Sequence, residues 1–356
     1  LNLRENIPLA PYTTIGLGGP ARYLAECATV EDVREALAFA REHSLLVQVM
    51  GRGSNLIFSD AGFGGLVLRV TSQGYAFRSE PGATTVTAAA GAAWDDLVQE
   101  SVRRRLAGIE CLSGIPGSVG GTPIQNVGAY GQEIAETLVS VTCIARDTLE
   151  PVVFAKRDCG FGYRSSRFKR DDRDAYVVTE VAFRLYRDRG PELRYPELVT
   201  AVSARRDPLT VRLVRETVLA LRRGKSMVLA PDDPNTRSVG SFFLNPVLSA
   251  GAFAELDRRW RTSGGSGPIP SFPAPNGVKV PAAWLVEHAG YRKGQKRGGV
   301  GISSHHALAL VSHGGTTAEL LALASEIEHA VDAKFGVRLE KEPVIVGADE
   351  RDGERR

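Results

Sequence analysis

Between residues 113 and 133 the chain reads SGIPGSVGGTPIQNVGAYGQE, with glycines at 114, 117, 120, 121, 128 and 131. Glycines at this spacing let successive backbone N–H groups turn toward one anion, and they let a phosphate approach with no side chain in the way. Ile115, Val119, Ile124 and Val127 are interleaved with them, which argues for a packed loop rather than a loose one. A pyrophosphate is the natural guest of such a loop.

The elements before the loop alternate. TVEDVREALAFAREH carries apolar residues at Val33, Leu37 and Ala40 behind a Thr29 cap, and the strand-like LLVQVMG follows at once. Strands GGLVLRVTS and TTVTAAAG and the helix AWDDLVQESVRRRL lead into the glycine stretch, and strands LVSVTCIAR, LEPVVFA and AYVVTEVAFRLYR leave it. This predicts an α+β unit to about residue 187, with lobes near 1–72 and 73–187. The proline-bearing DRGPELRYPEL reads as a linker or ordered loop over 188–206. Beyond it, Asp207 and Pro208 are placed to cap and start a helix with apolar residues at 211, 214, 218 and 221. Further helices begin at Pro281 and within AELLALASEIEHAVDAKFG, where Leu320, Ala324, Ile327 and Val331 share a face. The stretch TSGGSGPIPSFPAPNG at 262–277, ahead of Pro281, has the composition of a mobile surface loop, and residues 348–356 that of a charged, frayed tail.

A second anion-type loop, GRGSN at 51–55, follows a predicted strand and adds Ser54 and Asn55 to its backbone donors. Two such loops in one domain suggest a dinucleotide. The ordinary nicotinamide fingerprint is excluded: GLGGPA at 16–21 matches its glycine spacing loosely, but Pro20 and the strand-like ARYLAE replace the helix that the motif requires.

Other classes are disfavoured by composition. The net charge is only +3 over 356 residues and no basic stripe is interleaved with aromatics, so no nucleic-acid partner is expected. VRRRL at 102–106 reads as a solvated helix face that could also attract an anionic substrate. Four cysteines, Cys27, Cys111, Cys143 and Cys159, are scattered singly and read as buried thiols. His305 and His306 are adjacent and on a strand would point to opposite faces, so no metal is predicted. No apolar run approaches the roughly eighteen residues of a membrane span, and the opening LNLRENIPLAPYTT lacks the regions of a signal peptide. A cytoplasmic protein, by default a monomer, is expected.

SVGSFFLNP at 238–246 sets Ser241 between a glycine and two phenylalanines. In the plain reading Gly240 makes a turn, Phe242 and Phe243 fill core, and the hydroxyl bonds its own backbone. Context changes that reading. GRGSN, GIPGSVGG…QNVGAYG, CGFGYRSSRFK, SVGSFFLNP and FGVRLEKEPVIVG occur in the order seen in the MurB-type UDP-N-acetylenolpyruvoylglucosamine reductases, and the chain resembles that flavoenzyme family from about residue 6 to 347.

The resemblance implies a two-lobed FAD-binding domain of the vanillyl-alcohol-oxidase (PCMH) type, a C-terminal α+β substrate-binding domain over 207–334, and a strand at 335–347 returning to the flavin domain. It implies non-covalent FAD, NADPH as hydride source, and reduction of an enolpyruvyl ether on UDP-N-acetylglucosamine to the lactyl ether in peptidoglycan precursor synthesis, with no membrane insertion. The cofactor would meet Gly51, Arg52, Gly53, Ser54, Asn55 and Leu56 on one loop. On the other it would meet Gly114, Ile115, Pro116, Gly117, Ser118, Gly120 and Gly121, then Asn126, Gly128, Ala129 and Tyr130.

Three residues match the family's catalytic motifs. Arg164 would hold the substrate carboxylate and stabilise charge growing there. Ser241 would deliver a proton to the α carbon from a niche with little competing water. Glu342 would support that carboxyl or Ser241, with Glu340 its competitor on the same strand face; Pro343 stands where the family has an aliphatic residue. Tyr163, Tyr195, Lys225 and Asn245 are carried over as substrate binders, with a helix-terminal lysine as the plain alternative for Lys225. His305 and His306 lie where the family tends to carry glutamines and are candidate nucleotide contacts. Two other functions stay open at this level: a flavin oxidase of the same superfamily acting on an alcohol or sugar, and a catalytically silent UDP-sugar-binding homologue.

Overall fold

The computed structural model describes residues 1–187 and 189–347. Two compact units emerge. The first holds Leu1–Ile7, Ala21–Gly53 and Phe63–Val228; the second holds Pro8–Pro20, Ser54–Gly62 and the chain from Leu229 onward.

The first unit contains two sheets. In one, Pro20–Cys27 and Val47–Met50 both pair parallel with Phe63–Val70, and Leu3–Pro8 lies at the edge. Helix α1, Val30–Glu42, carries the chain from Pro20–Cys27 across to Val47–Met50, two parallel strands that flank Phe63–Val70 rather than pair with each other. Thr29 caps it as expected: its side chain accepts from Asp32 N while Asp32 accepts from Thr29 N, and Val33, Ala36, Leu37 and Ala40 are buried. The second sheet is antiparallel, in the order Pro151–Ala155, Leu138–Ala145, Tyr176–Leu185, Ala83–Ala89, Tyr75–Glu80. Helix α2, Trp94–Arg103, joins both sheets in one apolar core. Trp94, fully buried, packs edge-on against Phe183 and donates its indole N–H to Leu112 O at 3.0 Å, so no polar atom is stranded. The expected solvated arginines at 102–106 are partly neutralised, since Arg103 and Arg104 both pair with Glu100.

All four cysteines are free and buried. Burial pushes the thiols of Cys27 and Cys143 up to about 12 and that of Cys159 up to about 11, which leaves them unreactive.

The segment read as a linker at 188–206 instead forms helix α3, Pro196–Ala204. It packs on helix α4, Val211–Gly224, through Leu198, Val202, Leu213, Val214 and Val218, together with Cys111. The boundary therefore falls after Val228, not near 207, because these apolar faces are buried against the first unit. The cap of α4 also differs from expectation: Thr210 accepts from Leu213 N at 3.1 Å, while Asp207 lies 3.5 Å from Arg205. Thr210 sits three residues before the N–H it satisfies, the spacing that capping needs.

The second unit is built around Phe242, Phe243, Leu285, Ile327, Val331 and Phe335. Its helices are α5, Ala250–Thr262, α6, Ala282–His288, and α7, Thr317–Phe335. Part of the stretch expected to be a mobile loop is a hairpin, Phe272–Ala274 with Gly277–Lys279. The final strand, Val344–Val346, does pair with an N-terminal segment, parallel to Leu56–Phe58, but that segment itself belongs to the second unit. Asp60 explains why. Its carboxylate accepts from Thr317 N and Ala318 N at 2.8 Å each, capping α7 from 257 residues away in sequence. The tail assigned to 348–356 lies outside the described residues.

Candidate functional site

In the first unit the two anion-type loops meet. A Cβ at Gly51 would lie 2.1 Å from Ser118 Oγ, so only glycine permits that approach. Gly120 is packed as closely, with a Cβ there 2.6 Å from that of Ala90. Several loop donors are spent on the protein itself: Gly114 N on Asp95 Oδ1 at 2.6 Å, Gly120 N on Ala90 O and Gly121 N on Ser118 O. At these three positions the N–H is not a donor for an anion, and at Gly114 and Gly120 glycine supplies close approach instead, which corrects the expectation of a continuous N–H cradle.

What pins the loop was not visible in sequence. Asp95, in the first turn of α2, takes Gly114 N and a bidentate pair from Arg215 of α4 at 2.6 and 2.8 Å. Burial raises the Asp95 carboxyl, but the Arg215 hydrogen bonds, Gly114 N–H and neighbouring positive charge outweigh it and hold the group below its usual value. Beside Gly114 lies Arg222, whose Nε is buried without a hydrogen-bond partner while Nη2 bonds Met227 O at 2.7 Å. Burial lowers the Arg222 guanidinium from its ordinary value. A buried guanidinium with an unanswered donor beside a glycine loop suits an anionic or carbonyl-bearing ligand. The only sequence signal was the basic pair ending α4, which reads as a complement to the helix dipole.

Arg164 occupies the tip of a tight turn in which Gly162 and Ser165 exchange backbone hydrogen bonds. Its φ is +50°, a left-handed conformation, and its Nη2 donates to Gly128 O at 2.6 Å. Tyr163 sits beside it, exposed, with the guanidinium 5.6 Å from its ring centre. Asn126 ties this turn to the glycine loop: Nδ2 donates to Glu133 Oε2 and Gly162 O, and Oδ1 accepts from Ala135 N. Expected as a cofactor contact, Asn126 is buried and its amide is committed to the protein, so it acts as a brace. Gly128 and Ala129 form a short ladder with Gln132 and Glu133.

Tyr130, Tyr195 and Lys225 come together. The two tyrosine rings meet edge-on at 5.5 Å, and Lys225 Nζ lies 5.9 Å from the centre of Tyr130. Burial pushes the Tyr130 phenol up to about 12 and raises that of Tyr195 as well. Lys225 ends α4, as the plain reading holds, and bonds Glu197 Oε2 at 2.6 Å. Glu197 was not foreseen.

The second unit holds Ser241 and Glu342 on adjoining segments. Phe243 bridges antiparallel to Lys341, Leu244 N donates to Glu340 O, and Glu342 N donates to Phe242 O. Gly240 turns the chain at φ +80°, Phe242 and Phe243 are buried, and Ser241 is half-buried. Glu342 is half-buried while Glu340 is exposed, which separates two carboxylates that alternation alone could not. Pro343 costs no ladder bond. It lies in a bend between Glu342, whose N–H bonds Phe242 O, and Val344, whose N–H bonds Asn55 O, so its missing N–H falls outside the ladder. Asn55 Nδ2 also donates to Glu342 O at 3.4 Å, so Asn55 is joined to this strand.

Three residues carried over as ligand contacts have structural partners. Asn245 Oδ1 accepts from Ala282 N at 2.8 Å at the start of α6. His306 Nδ1 accepts from Leu308 N at 3.0 Å, holding its own turn, and the His305 backbone N–H bonds Ser303 Oγ.

Glycine-braced loops on a two-sheet α+β unit, followed by a second α+β unit, fit the class to which the comparisons assign the chain, the FAD-dependent oxidoreductases. Residues 21–148 match the FAD binding domain model, and residues 232–346 match the C-terminal domain of UDP-N-acetylenolpyruvoylglucosamine reductase. The curated reductase of that name from Thermobifida fusca is 45% identical over 96% of this chain and 98% of its own length. That from Streptomyces coelicolor is 46% identical, covering 96% of this chain and 90% of its own. A crystal structure of the Thermus caldophilus enzyme aligns with a TM-score of 0.63 at 25% identity, covering 97% of this chain and 99% of that one. The chain belongs to the UDP-N-acetylenolpyruvoylglucosamine reductase family. The C-terminal match contains Ser241, Asn245 and Glu342, whereas Arg164, Tyr195 and Lys225 lie between the two matched regions.

Proposed function

We propose that this chain reduces the enolpyruvyl ether of UDP-N-acetylglucosamine to UDP-N-acetylmuramate, with FAD as cofactor and NADPH as reductant, in peptidoglycan precursor synthesis. The observation that carries the reading is the near full-length family match of a chain that keeps Arg164, Ser241 and Glu342 in their motifs. The FAD site fits this chain: the glycine loops held together at Gly51 and Ser118 and the unanswered Arg222 Nε beside Gly114 suit a pyrophosphate-bearing ligand. Gly51 to Gly53, Ile115 to Ser118 and Ala129 are the residues that would hold it. When bound, FAD supplies two-electron transfer between NADPH and the substrate double bond.

The chain's own residues handle charge and proton. As the carbon β to the carboxylate gains hydride, negative charge accumulates on the α carbon and carboxyl oxygens. Arg164 stabilises it there. Ser241 donates its proton to the α carbon, and Glu342 orients the serine or hydrogen-bonds the carboxyl. Tyr163, Tyr195 and Lys225 bind the UDP-sugar, with the lysine on its diphosphate. No helix among the described residues is long and apolar enough to cross a membrane. A cytoplasmic monomer serving cell-wall biogenesis, and through it cell shape and division, completes the reading.

The test is NADPH oxidation by the FAD-loaded protein with and without the enolpyruvyl ether. Oxidation that needs this substrate, with a product heavier by two hydrogens, is the expected result. Oxygen-dependent turnover of an alcohol or sugar without NADPH would instead make the chain an oxidase, and UDP-sugar binding without turnover a silent homologue.

A further inference from the structure

Lys225 is already spoken for. Its ammonium is bonded to Glu197 at 2.6 Å, and both side chains remain roughly one-third exposed, at 35% and 39%. Each partner suits its own helix end: Glu197 is the second residue of α3, where the dipole favours an anion, and Lys225 closes α4, where it favours a cation. Glu197 is also two residues from Tyr195, which caps α3 and packs on Tyr130. The same short stretch is fastened a third time by Arg194, which bonds Glu136 Oε2 at 2.9 Å.

We propose that Glu197 is an internal counter-ion that stands in for the substrate's diphosphate, so that UDP-sugar binding is an exchange of one anion for another on Lys225. The proposal rests on the reading of Lys225 as the diphosphate contact. A half-exposed ion pair is weak enough to be displaced by a doubly charged ligand, yet it taxes every anion that competes for the lysine. A diphosphate recovers that loss through its second charge. A singly charged ligand does not, and at ordinary concentrations leaves the ion pair intact. Glu197 is thus a positioning residue that sets the threshold for anion entry.

The experiment is calorimetric titration of the FAD-loaded protein with UDP at low salt. Glu197→Gln should bind UDP about two- to fivefold more tightly than the parent, with KM for the UDP-sugar falling and kcat not rising; Glu197→Asp should return toward the parent Kd. Lys225→Gln should weaken UDP tenfold or more, and adding Glu197→Gln to it should yield no further gain. If Lys225→Gln leaves UDP affinity unchanged, the diphosphate role of the lysine fails and the exchange with it. If Lys225→Gln weakens UDP but Glu197→Gln weakens it too, or changes nothing, the lysine reading stands and the exchange is overturned. An unchanged melting temperature for each variant separates these results from loss of fold.

Discussion

Gly51 and Ser118 face each other so closely that a β carbon on the first would stand 2.1 Å from the hydroxyl of the second and 3.0 Å from its β carbon. Two loops separated by more than sixty residues are thereby held at backbone distance. Gly51→Ala should therefore destabilise the cofactor-free protein by about 1–3 kcal/mol through overpacking. Ser118→Gly added to it should restore most of that loss. Urea denaturation of the apo forms is the check. Unchanged apo stability in Gly51→Ala, with FAD affinity alone reduced, would mean that the glycine serves the ligand and not the serine.

Asp95 joins Arg215 to Gly114 and so braces the glycine loop from behind. Asp95→Asn should cost about 2–3 kcal/mol at neutral pH, less than the roughly 3–5 of a fully buried pair because the carboxylate is partly exposed. The Asp95 carboxyl is held below its ordinary value in the folded state. Its contribution is therefore complete above the unfolded carboxyl range near pH 4 and is lost as pH falls through the lower folded value. Stability of the two proteins measured from pH 7 downward should converge in acid. A constant gap down to the lowest pH at which both fold would remove the ion pair as the cause.

Tyr195 stands exposed at the start of α3, three residues before the fully buried Leu198. Deleting 191–198 would therefore open the packing of α3 on α4, and the informative change is the smaller one. Tyr195→Phe keeps the ring against Tyr130 and removes only the hydroxyl. UDP-sugar binding should weaken by about 10- to 150-fold, the range for a hydrogen bond to a charged group, while reduction by NADPH stays near normal. Equal loss in both half-reactions would place the tyrosine on the flavin side instead.

How far the sequence led can be argued from these same residues. The glycine run, the Thr29 cap and the periodicity of α7 are local signals, and they locate loops and helices directly. Asp95, Asp60 and Glu197 carry no such signal. Each is an ordinary acidic residue whose importance comes from a partner 120, 257 or 28 positions away in the chain. The boundary near 207 failed for a related reason. Pro208 signals a helix start that falls three residues later, at Val211, and only the buried faces of α3 and α4 show which unit owns them. The proposed catalytic set rests on motif order, because nothing in spacing alone distinguishes Ser241 from a turn serine or Glu342 from Glu340.

That last assignment yields the sharpest expectation. Ser241 follows a left-handed glycine, precedes two buried phenylalanines, and lies on a segment laddered to the one that carries Glu342. If it protonates the α carbon, Ser241→Ala should leave the half-reaction with NADPH nearly unchanged, since no carbon is protonated there. The half-reaction with the enolpyruvyl ether should slow by about 10²- to 10⁴-fold, the usual contribution of a positioned general acid. Ser241→Cys should recover part of the loss, a thiol being nearly isosteric and the stronger acid. Glu342→Gln should impair the same half-reaction, whereas Glu340→Gln, at an exposed position, should not. Stopped-flow absorbance at the flavin bands resolves the two halves. Equal slowing of both by Ser241→Ala, or no slowing of the second, would take the proton away from this serine.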